Sequence, residues 1–341
     1  MSRKRYELAV IGCGKIWEIG HWAALKEMTQ ELRVRYVYDT DQAAARKAAQ
    51  QTGATCADGA KQIFQDEAVD IVAVLTPPFA RLEYVREACA TGKHLMLEKP
   101  MARTLDQALD IYRGIRRSGI KCFIPFMRAV SPARRELADA VRAGAFGKPL
   151  VFVHTFLGVP YPWVPLDHWM HDQARSGGPL FDYSIHFMEM ARACLGAEAE
   201  SVLCGGAATT GRVKSDDQAT LLVYYAGGCF GQFTKTWCFP PGCDYGHTAD
   251  HIVCRDAVVV MGANVEVHSP GGVRQWQPSN AAPKGRVESY RNLIAAIEDD
   301  AALFANELNG LRMNEILDAM ERSRTSARRE QVALHDDGCG L

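Results

Sequence analysis

Residues 6–17, YELAVIGCGKIW, decide the fold. An apolar run from Leu8 to Ile11 leads straight into Gly12-Cys13-Gly14-Lys15-Ile16 and then into an amphipathic stretch. That is the strand, glycine turn and helix opening of a dinucleotide-binding loop. Two glycines permit the tight turn and the close approach of backbone to a pyrophosphate, whose charge then lies at the positive end of the following helix. Trp17 occupies the third position of G-x-G-x-x-G, so the fingerprint is incomplete and the pose of a diphosphate is left open. The next strand ends in Val37-Tyr38-Asp39. An acid there accepts both ribose hydroxyls and repels a 2′-phosphate, which favours NAD over NADP. The plain alternative is that Asp39 caps the next helix, a task that Thr40 or Asp41 can also perform. The opening MSRKRYELAVIGC has the outward form of a lipoprotein cleavage signal, but its apolar part is only Leu8–Ile11, and the same residues make a better strand.

Working outward, residues 1–125 alternate short apolar runs (VRYVYD, VDIVAVL, HLMLE, KCFIP) with Ala-rich amphipathic stretches, the pattern of βαβ units on a parallel sheet. DQAAARKAAQQTG and ARLEYVREACATG end in Gly53 and Gly92, residues suited to a left-handed cap. Thr104 and Gln107 form a capping box that opens a helix to about Ser118. After Pro125 the pattern changes. A helix over 132–142 precedes strands near LVFVHTF, SVLCGG, ATLLVYY, CFGQFTKTW and DAVVVMG, separated by turns, with one helix at 179–195. Such spacing predicts a mainly antiparallel open sheet. The fold class is therefore an amino-terminal Rossmann doubly wound parallel sheet (1–125) followed by an α+β domain (126–285). Two closing helices, about 286–330, are expected to pack back towards the first domain.

The 341 residues are 48% hydrophobic and 23% charged, with a formal net charge of -1. This balance offers no electrostatic basis for binding nucleic acid or an anionic membrane, and no run reaches the ~18 apolar residues of a membrane span. A small molecule is the expected partner. Eleven cysteines without a C-x-x-C pair read as reduced thiols of a cytoplasmic protein.

Taken in order, GCGKI, YDTD, VLTPP, GKHLMLEKP and SGGPLFDYSIH resemble the glucose-fructose oxidoreductase and inositol dehydrogenase (Gfo/Idh/MocA) family over nearly the whole chain. Glu98-Lys99-Pro100 after a strand, with Gly177, Gly178, Asp182 and His186 in a G-G-x-x-x-D-x-x-x-H element, carries more of this resemblance than the glycine loop does. The resemblance implies an NAD-dependent oxidoreductase acting on a secondary alcohol of a sugar, cyclitol or related polyol, assembled as a homodimer or homotetramer through the second sheet. By the same likeness Gly12, Gly14, Lys15, Ile16, Asp39 and Glu98 hold the cofactor, Thr76 and Pro77 line its nicotinamide side, and Lys99, Asp182 and His186 carry the chemistry. Arg128, in an FMR segment similar to the family's strand after the Rossmann domain, is implied as a substrate contact. Arg81 departs from the pattern, standing where relatives commonly have histidine.

The residue types suit that chemistry. Hydride loss from a carbinol requires loss of the hydroxyl proton, and a positioned imidazole is the usual base. Asp182 and His186 are four apart, hence on one face of a helix whose amino terminus disfavours imidazolium. Lys99 closes a strand on the ligand-binding edge of the sheet, and its ammonium can stabilise a developing alkoxide. The mechanism requires Lys99 and His186 to meet beside the nicotinamide. In HTFLGVPYPWVPLDHWMHD, Trp163 and Trp169 are candidates for stacking on a sugar ring, or equally for packing the seam between the two domains. Cys243, His247, His251 and Cys254 have zinc-like ligand types, but HIVCRDAVVV reads as one strand that sends His251 and Cys254 to opposite faces, so no metal is expected. Two alternatives stay open: an enzyme that retains and recycles NAD(H), and a non-catalytic nucleotide sensor.

Overall fold

The computed structural model describes residues 4–335 apart from 160–163, 241, 244–245, 263 and 279–284. Its contacts gather into two units, Met1–Ser131 with Ala282–Leu311, and Pro132–Ala281 with Arg312–Leu341. The first unit thus extends past residue 125. Of the closing helices, Gly285–Asp299 groups with it, whereas Glu307–Ser326 is divided between the two units.

In the first unit β1 (Tyr6–Ile11), β2 (Leu32–Tyr38), β3 (Thr55–Cys56), β4 (Ile71–Val74), β5 (His94–Leu97) and β6 (Cys122–Phe123) form one parallel sheet in the order β3-β2-β1-β4-β5-β6. Every residue of β4, and Leu8–Ile11 of β1, is buried, as central parallel strands covered on both faces require. The strand order reverses between β1 and β4, and a doubly wound sheet binds its ligand at the carboxyl ends of the strands beside such a switch. The helices are closed by the chemistry read from the sequence. Gly53 (φ 72°) and Gly92 (φ 67°) take the left-handed cap, and Thr104 Oγ1 accepts the Gln107 N–H at 3.3 Å, but the reciprocal half of the expected capping box is not made, since Gln107 Oε1 is buried without a hydrogen-bond partner among the described residues.

Among its described residues the second unit is built on nine strands: β7 (Pro149–Leu157), β8 (Ala199–Ala207), β9 (Gln218–Tyr225), β10 (Phe230–Thr236), β11 (His247–Cys254), β12 (Val258–Met261), β13 (Val265–Ser269), β14 (Gly272–Trp276) and β15 (Glu330–Gln331). Their order is β14-β13-β12-β11-β7-β10-β9-β8-β15, antiparallel throughout except for the parallel pair β7 and β10. HIVCRDAVVV is therefore not one strand but the turn of a hairpin, with Arg255 and Asp256 between β11 and β12. Residues alternate along β9 and β10, with Leu221, Val223, Tyr225, Phe233 and Lys235 on the buried side. The helix expected over 179–195 is two pieces, a π-helical turn at Leu180–Ser184 and an α-helix at Ile185–Leu195 whose Phe187 stacks on His154 of β7 at 3.7 Å. Among the described residues no helix is long and apolar enough to cross a membrane.

Candidate active site

The carboxyl ends of β1, β2, β4 and β5 bring together most of the residues implicated in cofactor binding. Gly12 has φ +100°, and a Cβ there would lie 2.9 Å from both the Leu75 carbonyl carbon and the Thr76 nitrogen, so only glycine lets the two loops approach this closely. A Cβ on Gly14 would meet nothing within 4 Å, so this glycine leaves an open cradle at the start of the following helix. Asp39 ties the loop down, its Oδ2 accepting the Cys13 N–H at 2.7 Å and its Oδ1 the Asp41 N–H at 2.8 Å. It is not the helix cap. That role falls to Asp41, which accepts from Ala43 at 2.8 Å and Ala44 at 3.4 Å. A carboxylate offers about four lone-pair sites, so Asp39 keeps capacity for a ribose hydroxyl. The adjacent Cys13 thiol is pushed up to about 12, by burial first and then by the Asp39 charge, and stays protonated.

Trp17 does not disturb this loop. It opens a π-helical turn, Trp17–His21, with its buried indole N–H donating to Gln51 Oε1 at 3.1 Å and its ring stacked on Trp22 at 5.7 Å. Thr76 Oγ1 is buried and has no hydrogen-bond partner among the described residues. An orphaned hydroxyl of this kind is costly unless a ligand meets it. Together with the Gly14 cradle, it fits a dinucleotide at this edge. Replacing Asp39 by alanine is expected to weaken NAD binding and to bring the dissociation constants for NAD and NADP closer together. Titration calorimetry with both nucleotides checks this, and an unchanged preference contradicts it.

Arg81 resolves as a buried tie between two loops. Its Nε and Nη2 donate to Thr76 O at 2.8 and 2.6 Å, Nη1 donates to Glu98 O and Pro100 O, and Nη2 lies 3.4 Å from Lys99 O. Glu98, implicated as a cofactor contact, is only 3% exposed. Its Oε1 accepts from Arg286 Nη1 at 2.7 Å, and its Oε2 accepts the Lys99 N–H at 3.1 Å. His21 completes the cluster. Arg286 Nη1, which can only donate, lies 2.5 Å from His21 Nε2, and Tyr290 Oη lies 2.7 Å from His21 Nδ1. The neutral Nδ1–H tautomer satisfies both contacts, leaving the 3.1 Å approach of Nε2 to Glu98 Oε1 as close packing.

Burial, then the Arg286 charge, holds His21 down from 6.5 to about 4, and the Arg286 charge keeps Glu98 ionised well below the usual carboxylate range despite its burial. The sign for His21 follows directly. Between pH 6.5 and 4 the unfolded chain binds a proton that the native imidazole refuses, so stability present above 6.5 is lost as pH falls, by on the order of 3 kcal/mol. The melting temperature is expected to fall over that window more steeply in the parent than in His21→Gln. Parallel slopes contradict this.

In the second unit Asp182, Tyr183 and His186 are half-exposed while Ser184, Ile185 and Phe187 are buried. Asp182 lies in the π turn and His186 at the start of the α-helix, and in a turn of i→i+5 bonding residues four apart still share one side. Tyr183 packs edge-on to His186 at 6.3 Å and beneath it meets His154 at 6.1 Å and Phe156 at 5.9 Å. The buried face of the sheet is polar here. His154 Nδ1 lies 2.6 Å from Asp250 Oδ1, and the wholly buried Lys235 places Nζ 5.0 Å from the Tyr183 ring and 4.8 Å from that of Trp237. Polar groups in such a position are retained at a cost and mark the vicinity of function. The sequence reading passed over Lys235, although its inward register with Phe233 in CFGQFTKTW was visible.

The remaining candidates among the described residues lie on short helices and turns. Arg128 lies not on a strand but on a one-turn helix, Met127–Val130, with its side chain exposed; the run FMRAV is too short before Ser131-Pro132 to extend into a sheet. Lys15 is exposed, 3.7 Å from Glu18, and Ile16 caps the π turn. Trp169 is half-buried on the turn Trp169–His171, and Trp163 lies outside the described residues. Among the described residues no group of three His, Cys, Asp or Glu side chains is arranged to hold a metal ion.

Comparison with known proteins agrees with this geometry. Residues 6–126 match the oxidoreductase family with an NAD-binding Rossmann fold (GFO_IDH_MocA), and residues 134–264 match the GFO/IDH/MocA C-terminal domain. The scyllo-inositol 2-dehydrogenase (NAD(+)) of Bacillus subtilis is 27% identical over 190 residues, 54% of this chain and 53% of that protein. The rhizopine catabolism protein MocA of Rhizobium meliloti is 26% identical over 241 residues, 70% of this chain and 73% of that protein. The match thus spans about half the length of the first relative and nearly three quarters of the second. In fold, the chain superposes on a levoglucosan dehydrogenase in complex with NADH with a TM-score of 0.86 at 20% identity, covering 97% of this chain and 100% of that one. The chain belongs to the Gfo/Idh/MocA family of oxidoreductases, with the family's NAD-binding Rossmann fold followed by its C-terminal domain.

Proposed function

We propose that the protein is an NAD-dependent dehydrogenase that oxidises a secondary alcohol of a sugar or cyclitol. One observation carries the reading: the sheet edge that offers the Gly14 cradle and the orphaned Thr76 hydroxyl also holds the backbone of Lys99, tied to Thr76 through Arg81. A nucleotide-binding edge joined so directly to a lysine suits catalysis better than sensing. The substrate class follows the activities of the relatives, among them inositol dehydrogenases and a 1,5-anhydro-D-fructose reductase.

NAD, when bound, supplies the hydride acceptor, so the chain itself has only a proton to manage. His186 takes the hydroxyl proton as the carbinol C–H bond breaks. Lys99 places an ammonium against the oxygen as negative charge develops there. Asp182, on the same side of the turn, orients the imidazole or holds a neighbouring substrate hydroxyl. The wholly buried His154, paired with the largely buried Asp250 and with Phe187 stacked on it, fixes the base of that turn.

The experiment is a panel of inositols, hexoses and anhydrosugars incubated with NAD and, in parallel, NADP, following absorbance of the reduced nicotinamide. Reduction of NAD by at least one alcohol, faster than of NADP, is the expected result. Tight NAD binding with no turnover across the panel opposes the reading.

A further inference from the structure

Four segments far apart in sequence place buried polar side chains around one short piece of backbone, residues 98–100. From one side Arg81, 3% exposed, donates to the carbonyl oxygens of Glu98 and Pro100 and approaches that of Lys99. From the other, the Glu98 side chain folds back so that Oε2 accepts the Lys99 N–H at 3.1 Å, while Oε1 is held at 2.7 Å by Arg286 of the helix Gly285–Asp299. Arg286 is itself fixed. It donates to His21, which Tyr290 holds on the far side at 2.7 Å, and it lies over Gly20, where a Cβ would come within 2.9 Å of Nε. A buried guanidinium is costly unless its donors find partners. Arg81 turns its donors on the loop backbone, and the partly buried Arg286 donates to His21 and to the one carboxylate that grips this backbone.

We infer that Glu98, Arg286 and Arg81 are positioning residues that fix the main chain carrying Lys99, and that the Glu98 carboxylate serves this clamp rather than the cofactor. The inference rests on the reading of Lys99 given above. Its physical basis is that the Glu98 carboxylate, 3% exposed and engaged at both oxygens inside the fold, is enclosed in a way the partly exposed Asp39 is not, and that a reacting group misplaced by about 1 Å loses about a hundredfold in rate. A clamp on the backbone at both faces of Lys99 removes that freedom before substrate arrives.

The test compares Glu98→Gln, Arg286→Lys and Arg286→Ala for three quantities: exchange of the Lys99 amide hydrogen, NAD affinity by calorimetry, and kcat on the panel alcohol that the parent oxidises best. The clamp predicts faster Lys99 amide exchange in Glu98→Gln and Arg286→Ala, kcat reduced about 10- to 100-fold, and an unchanged NAD dissociation constant. It also predicts partial recovery in Arg286→Lys, whose ammonium can donate to Glu98 in place of Nη1, the one guanidinium nitrogen that serves both Glu98 and His21. A weakened NAD affinity in Glu98→Gln with kcat intact overturns the inference and returns Glu98 to the cofactor. Amide exchange and kcat both at the parent level overturn it as well. If Glu98→Gln fails to fold, the split between Arg286→Lys and Arg286→Ala decides on the same readouts. Failure of the Lys99 reading shows separately, as full turnover in Lys99→Met.

Discussion

His186→Ala is expected to lower kcat by about 10²–10⁴, the range that general acid–base catalysis contributes, with NAD affinity and melting temperature close to the parent. The separation of effects follows from where the residue sits. His186 lies partly exposed at the start of its helix, and the core contacts of that turn are made by Ser184, Ile185 and Phe187, so truncating the imidazole leaves that core packing in place. The candidate NAD contacts named above lie in the first unit, at the ends of β1, β2, β4 and β5. What remains to be lost is the acceptor for the hydroxyl proton. Imidazole added to the buffer is expected to restore part of the rate, since the alanine leaves space for a free base. Parent-level turnover in this variant removes His186 from the mechanism.

Lys99→Met is the second large effect, a fall in kcat of about 10²–10³, the measured cost of deleting one preorganised group that stabilises an oxyanion. Methionine keeps the unbranched stem and removes only the charge. Arginine is not a substitute, because its planar fork presents its donors differently from a compact ammonium. If Lys99 and His186 act on the same hydroxyl, the double variant falls no further than the worse single one, because residues that work as a unit are non-additive. Multiplying losses indicate two independent roles.

How far the sequence anticipates this account depends on whether an interaction is local. The glycine loop, the caps at Gly53, Gly92 and Thr104, and the burial of β1 and β4 are set within a few residues, and the order of apolar runs is enough to read them. Asp41 as cap and Asp39 as loop anchor needed coordinates, because three adjacent polar residues compete for one helix end. The π turns at Trp17–His21 and Leu180–Ser184 were invisible, since one widened turn leaves the apolar spacing almost unchanged. The hairpin β13–β14 was missed despite the turn residues Pro270 and Gly271, because its strands are largely exposed and lack alternation. Arg81 stood out as a departure from the family pattern, but its role was illegible because its partners are main-chain carbonyls, which every residue possesses. The contact of His21 with Arg286 joins positions 265 apart, beyond any reading of spacing.

The central claim is that hydride leaves a carbinol carbon of the substrate and travels to NAD. It is tested most directly by giving the enzyme its alcohol deuterated at the reacting carbon and weighing the nucleotide product. The account predicts one deuterium in the reduced nicotinamide and none released to water. Deuterium appearing in solvent, or ketone forming while NAD stays unreduced, contradicts it.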